Sequence, residues 1–155
     1  MAATSTNKQP LLVDRVMHNV IPLDEAVVNA IDIQGANTAE RLVDGSQSDG
    51  CIIEDIYAIS RSTDEYTINL YISPEFDFLR PGQGIFVGSF KSKTTVGDVS
   101  RWEEMPKILA PVPQTGSEAQ FRAFYLPKGR VLWAAHEGTR TVTDGPLLGA
   151  QGGWY

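Results

Sequence analysis

Apolar and polar side chains alternate most strictly over residues 65–72. Tyr66, Ile68, Leu70 and Ile72 fall on one face there, and Thr67, Asn69 and Tyr71 on the other. Successive side chains of a strand point to opposite faces, so this pattern predicts a half-buried strand. The run before it, residues 51–60, is rich in β-branched residues, but its alternation slips where Ile52 meets Ile53 and Glu54 meets Asp55. A β-bulge, or a strand apolar on both faces, accounts for the slip. The polar residues Arg61, Ser62, Thr63 and Asp64 separate the two runs and predict an antiparallel hairpin. A second hairpin is expected where residues 121–126 and 131–135 flank Pro127, Lys128 and Gly129. Proline presets φ for a turn, and glycine takes the positive φ that a tight hairpin needs.

Other elements are fainter. Residues 38–44 read as a strand closed by the turn-rich stretch from Asp44 to Gly50, and residues 84–90 as another, in which Gly88 marks close packing or a bulge. Residues 73–83 hold two prolines and a glycine and read as a loop over Phe76, Phe78 and Leu79. Pro10 and Pro22 limit any early helix to a few turns. Residues 22–26 either begin a short helix, with Asp24 and Glu25 complementing its dipole, or stay extended. Many short strands, Gly/Pro turns and no long amphipathic helix predict a mostly β chain, an antiparallel β-sandwich or barrel. The expected organisation is an N-terminal arm over residues 1–20, a sandwich over 21–137 and a glycine-rich tail over 138–155.

Composition narrows the partners. A net charge of −6 on 155 residues argues against general affinity for nucleic acid or anionic lipid. Lys91 and Lys93, the densest basic stretch, read as a solvated loop. Cys51 is the single cysteine, so no intrachain disulfide is expected; the polar first ten residues lack the apolar core of a secretion signal, and no apolar run is long enough to span a bilayer. These features lead to an expectation of assembly in a reducing cytoplasm.

Chemistry is sparse. Cys51 with His18 or His136 is the one thiol–imidazole candidate, and Cys51 reads better as a small core residue. The acidic pairs Asp24-Glu25, Glu54-Asp55, Asp64-Glu65 and Glu103-Glu104 point to opposite faces if on strands, so none alone supplies a glycosidase pair. Residues 44–55 echo the calcium-loop spacing of an EF-hand, but Asp49 stands where that loop requires glycine. Gly82 and Gly84 precede a strand rather than a helix and read as turn punctuation, not a phosphate cradle. Trp102, Trp133 and Trp154 supply stacking surface without basic interleaving, and Trp133 reads as core. No catalytic residue, metal or cofactor is expected.

The ends carry the binding expectation. Polar or glycine-rich termini fray unless another chain orders them. Pro10, Leu11 and Leu12 on the arm, and Trp154 and Tyr155 on their Gly152-Gly153 leader, are therefore the candidate partner contacts. The competing reading is a tail that packs back on its own sandwich or stays disordered.

Residues 92–99, 104–113 and above all 120–135, with the Leu126-Pro-Lys-Gly129 turn running into Val131, Leu132 and Trp133, resemble cement or decoration proteins of tailed-bacteriophage heads. That resemblance implies a jelly-roll-like sandwich, often a trimer, that binds the major capsid protein or other virion proteins and uses extended arms to hold shell subunits together. It implies a location in the virion and no enzymatic activity. The alternatives are a neck or tail component, a receptor- or carbohydrate-binding β-module, and an enzyme with an unrecognised carboxylate site.

Overall fold

The computed structural model describes residues 15–24, 26–27, 39–47, 49–74, 84–103, 123–137 and 142–154. Its elements are β1 (Arg15–Pro22), β2 (Ala26–Val27), β3 (Glu40–Asp44), a 3-10 turn (Gly45–Gln47), β4 (Gly50–Ile59), β5 (Thr67–Pro74), β6 (Ile85–Lys91), β7 (Val99–Arg101), β8 (Phe124–Pro127), β9 (Arg130–Glu137) and β10 (Leu147–Trp154). Residues 22–24 continue extended toward β2, so of the two early options the extended one holds.

The chain runs as a doubled ribbon. β5 pairs with β6, β4 with β7 and β8, β3 and β2 with β9, and β1 with β10. Wrapping that ribbon brings β10 beside β4 and β9 beside β5. Two sheets result. The first has the order β1-β10-β4, with β7 and β8 both beyond β4; the second has the order β6-β5-β9, with β2 and β3 beyond β9. Every pairing is antiparallel except the two-residue β2–β9 contact. This is the expected β-sandwich, with its strands in a jelly-roll order.

Apolar residues from both inner faces fill the space between the sheets. Met17, Ile53, Ile56 and Leu148 come from the first sheet, and Leu42, Ile68, Leu70 and Leu132 from the second. Each such side chain removed from water contributes about 1.5–3 kcal/mol. The slip in β4 is a bulge: Gln151 faces Asp55 and Gly152 faces Ile53, so Glu54 is the extra residue and turns to solvent. A second bulge puts Val87 out of register in β6, next to Gly88, against which the Trp102 ring packs.

Both expected hairpins are corrected. β4 lies in the first sheet and β5 in the second, so residues 60–66 cross between layers. Ser60 and Arg61 hold that crossing, Ser60 Oγ donating to the carbonyls of Ser62 (2.9 Å) and Lys93 (2.6 Å), and Arg61 Nε to that of Gly145. β8 and β9 likewise belong to different sheets, joined by Lys128 and Gly129, the latter at φ +75°. Alternation assigns a strand's face, not its partner, and each connection reaches across the ~10 Å between packed sheets.

The proposed boundaries are corrected as well. Residues 15–20, placed in the arm, begin strand β1; residues 147–154, placed in the tail, form β10 between β1 and β4. Trp154 is only 8% exposed and belongs to the core cluster, so it is not a free anchor. Glycine-rich sequence there reflects crowding. A Cβ on Gly152 would overlap the Ile52 carbonyl oxygen, at the point where the β4 bulge pushes the backbones together.

Candidate functional site

The outer faces of the two sheets differ. On the second sheet a row of side chains runs across four strands: Arg41 lies over the Trp133 ring at 5.4 Å, Trp133 stands opposite Tyr71, and Tyr71 meets Phe86 edge-on at 5.7 Å. Trp133 Nε1 donates to Ser73 Oγ at 2.8 Å. Tyr71, Val131, Trp133 and Ala135 form a separate buried cluster at the centre of this face, flanked by the exposed Arg41 and Phe86. Burial pushes the Tyr71 hydroxyl well above the usual tyrosine range, and the Glu137 carboxylate adds to the effect.

The first sheet is open. β1 is its outermost strand, flanked by a strand on one side only among the described residues. Met17 turns into the core, which sends Val16, His18 and Val20 outward; Val16 is 80% exposed and Val20 46%. Asn19 Nδ2 donates to the Leu42 carbonyl at 3.1 Å and fastens this edge to β3 of the opposite sheet. Between β1 and the 3-10 turn lies an open cleft of about 420 Å³, lined by Arg15, His18, Asn19, Asp44, Gln47 and Trp154 among others. Arg15 sits over the Trp154 ring at 5.9 Å. Burial raises the Asp44 pKa, but hydrogen bonds from Ser46 Oγ (2.6 Å) and Ser46 N (3.0 Å), helped by Arg41, outweigh it and leave the carboxyl below its usual range.

Inward from β1, Tyr57 of β4 lies across β10. A Cβ built on Gly149 would sit 2.6 Å from both Tyr57 Cε atoms and closer still to Cζ between them. Those are the distances of a point directly above Cζ, so the ring lies face-down on the glycine. Its hydroxyl reaches β1 and hydrogen-bonds His18 Nε2 at 2.6 Å. Beside it, Asp55 Oδ2 accepts from Arg101 Nε (3.0 Å) and Gln151 Nε2 (3.3 Å). Sequence reasoning missed this group, because Tyr57, Gly149, His18 and Arg101 converge only once the β1-β10-β4-β7 register is known.

Other candidates fall apart. Cys51 is fully buried, and burial pushes its thiol up to about 12, so it is no thiolate at neutral pH. Neither histidine bonds it: His18 meets Tyr57, and buried His136 lies 3.3 Å from the carbonyls of Glu137 and Asp24. In the calcium-like stretch, Asp44 is held by Ser46 and Arg41 while Asp55 sits mid-strand on Arg101. Among the described residues no three His, Cys, Asp or Glu side chains gather as a metal site. Trp102 is buried in the core, and Trp133 is buried in the cluster outside the second sheet. Lys91 pairs with Glu65 at 2.6 Å, with Ser92 buried behind it. Pro10, Leu11, Leu12 and Tyr155 lie outside the described residues, as do the loop over Phe76 and the pair Gly82-Gln83.

No family model, curated protein or solved structure matches the chain. No helix among the described residues is long and apolar enough to cross a membrane.

Proposed function

We propose that this chain is a non-enzymatic structural protein of a virion, a capsid cement or decoration protein that stabilises a tailed-phage head by docking between shell subunits. The observation that carries this reading is β1: an eight-residue edge strand with Val16 and Val20 turned to solvent. An unpaired edge offers a row of backbone donors and acceptors to a partner strand, and soluble proteins usually blunt it with charge, proline or a bulge. Here the middle of the edge carries valines instead, and Asn19 holds it rigidly to the neighbouring sheet. A strand added beside β1 would extend the first sheet and cover both valines without disturbing the core. Its partner on this reading is the major capsid protein or another virion protein, and the chain itself assembles as a homo-oligomer, a trimer by the resemblance.

The test is co-sedimentation of the purified protein with expanded capsid shells. Wild type is expected to pellet with shells and raise their resistance to heat. The double variant V16D/V20D is expected to keep its own melting temperature and lose shell binding by about tenfold or more, since charge on the added-strand face is repelled from an apolar contact. Binding to isolated tails but not to shells, or unchanged binding of the variant, would overturn the proposal.

A further inference from the structure

We infer that the outer face of the first sheet holds a sugar-binding platform centred on Tyr57. This goes beyond the docking role and uses different contact residues: the edge contact rests on Val16 and Val20 of β1, the platform on Tyr57, Asp55 and Arg101 of β4 and β7 over β10, with His18 of β1 only fixing the Tyr57 ring.

The platform is built rather than incidental. A tyrosine on a sheet surface ordinarily stands up from it. Tyr57 is laid flat because position 149 has no side chain, and it is pinned at its far end by His18. One ring face is against the Gly149 backbone; the residue remains partly exposed, with the other face turned away from the sheet. A flat, immobile aromatic face suits the array of C–H groups on one side of a pyranose ring, and tyrosine supplies it at little cost in side-chain entropy.

Sugar recognition also needs fixed donors and acceptors for neighbouring hydroxyls, since each hydroxyl both gives and accepts a hydrogen bond. Arg101 stands directly opposite Tyr57 on β7, and Asp55 lies two residues before it on the same face of β4. The hydrogen bonds within this group use Asp55 Oδ2 and Arg101 Nε. Among the described residues this leaves Asp55 Oδ1 and the Arg101 terminal nitrogens, an acceptor beside donors, which is the pairing that a vicinal diol satisfies. Gln151, opposite Asp55 on β10, fixes the carboxylate from its other side. The Arg101–Asp55 pair is electrically balanced, so the site favours a neutral saccharide over a free anion.

The experiment is amide NMR of the full chain, titrated with the methyl glycosides of glucose, galactose, mannose and N-acetylglucosamine. At least one is expected to give saturable shifts at Tyr57, Gly149, Gln151, Asp55 and Arg101. Y57A is expected to weaken that binding at least about tenfold, whereas Y57F and Y57W, which keep an aromatic face, retain most of it. G149V, which lifts the ring, should weaken binding by a similar factor with the tyrosine still present. V16D/V20D should bind the sugar as wild type does, so loss of shell docking and loss of sugar binding are separable. Absence of saturable shifts with all four glycosides, shifts centred elsewhere, or undiminished binding by Y57A would overturn the inference.

Discussion

The two outer faces of the sandwich arise from strands of the same kind and differ at their centres. On the second sheet, the outward positions of β5 and β9 carry Tyr71, Val131 and Trp133, and all three are buried, flanked by the exposed Arg41 and Phe86. On the first sheet, outward positions carry Val16, His18, Val20, Asp55 and Tyr57, and solvent reaches each of them. The first kind of face stabilises the fold; the second contributes little to it and remains available to other molecules. Exposed apolar residues are informative only against such a background, because scattered ones are ordinary on any protein surface. Val16 and Val20 stand out because they flank His18 on a strand that, among the described residues, is paired on one side only, not because they are valines.

That contrast can be broken by measurement. The inner face sets the reference: Cys51 should resist thiol reagents at neutral pH, labelling about a thousandfold or more slower than in denaturant, because its folded thiol is buried and raised to about 12. Rapid labelling would show that β4 opens where the account has it packed. Next, W133A should lower unfolding free energy in urea by about 3–5 kcal/mol, the cost of an emptied aromatic site. Y57A on the other face should cost under about 1 kcal/mol, and equal losses would erase the distinction between the faces.

A smaller effect concerns the turn beneath the β1 edge. Asp44 has a folded pKa below its unfolded value, so it contributes stability that is present above the usual carboxylate range and lost as pH falls through the folded value. D44N should therefore be less stable than wild type at neutral pH by about 1 kcal/mol, with the gap closing in acid. A gap that held constant with pH would assign the loss to packing rather than charge. The smallest expected change is in V16D, which should alter stability by no more than about 0.5 kcal/mol.

Strand positions were largely legible and their partners were not. The alternation at residues 65–72 and the slip at Glu54 both correspond to real features, a strand and a bulge. The connections after Ile59 and Pro127 read as hairpins because short turn-rich links between alternating strands look alike whether the chain returns within a sheet or crosses to the next. The C-terminal strand escaped notice for a different reason. Gly149, Gly152 and Gly153 resemble a flexible leader, yet at two of them the neighbouring Tyr57 ring and the Ile52 carbonyl leave no room for a Cβ. The platform was hidden for the same reason, since it exists only where those glycines meet β4.

Hydrogen–deuterium exchange of the chain, free and bound to capsid shells, tests the central claim most directly. The account expects slow exchange in β4, β5, β9 and β10 in both states, with new protection confined to residues 15–22 on binding. Protection that appeared on the second sheet, or that left β1 unchanged in the bound complex, would contradict it.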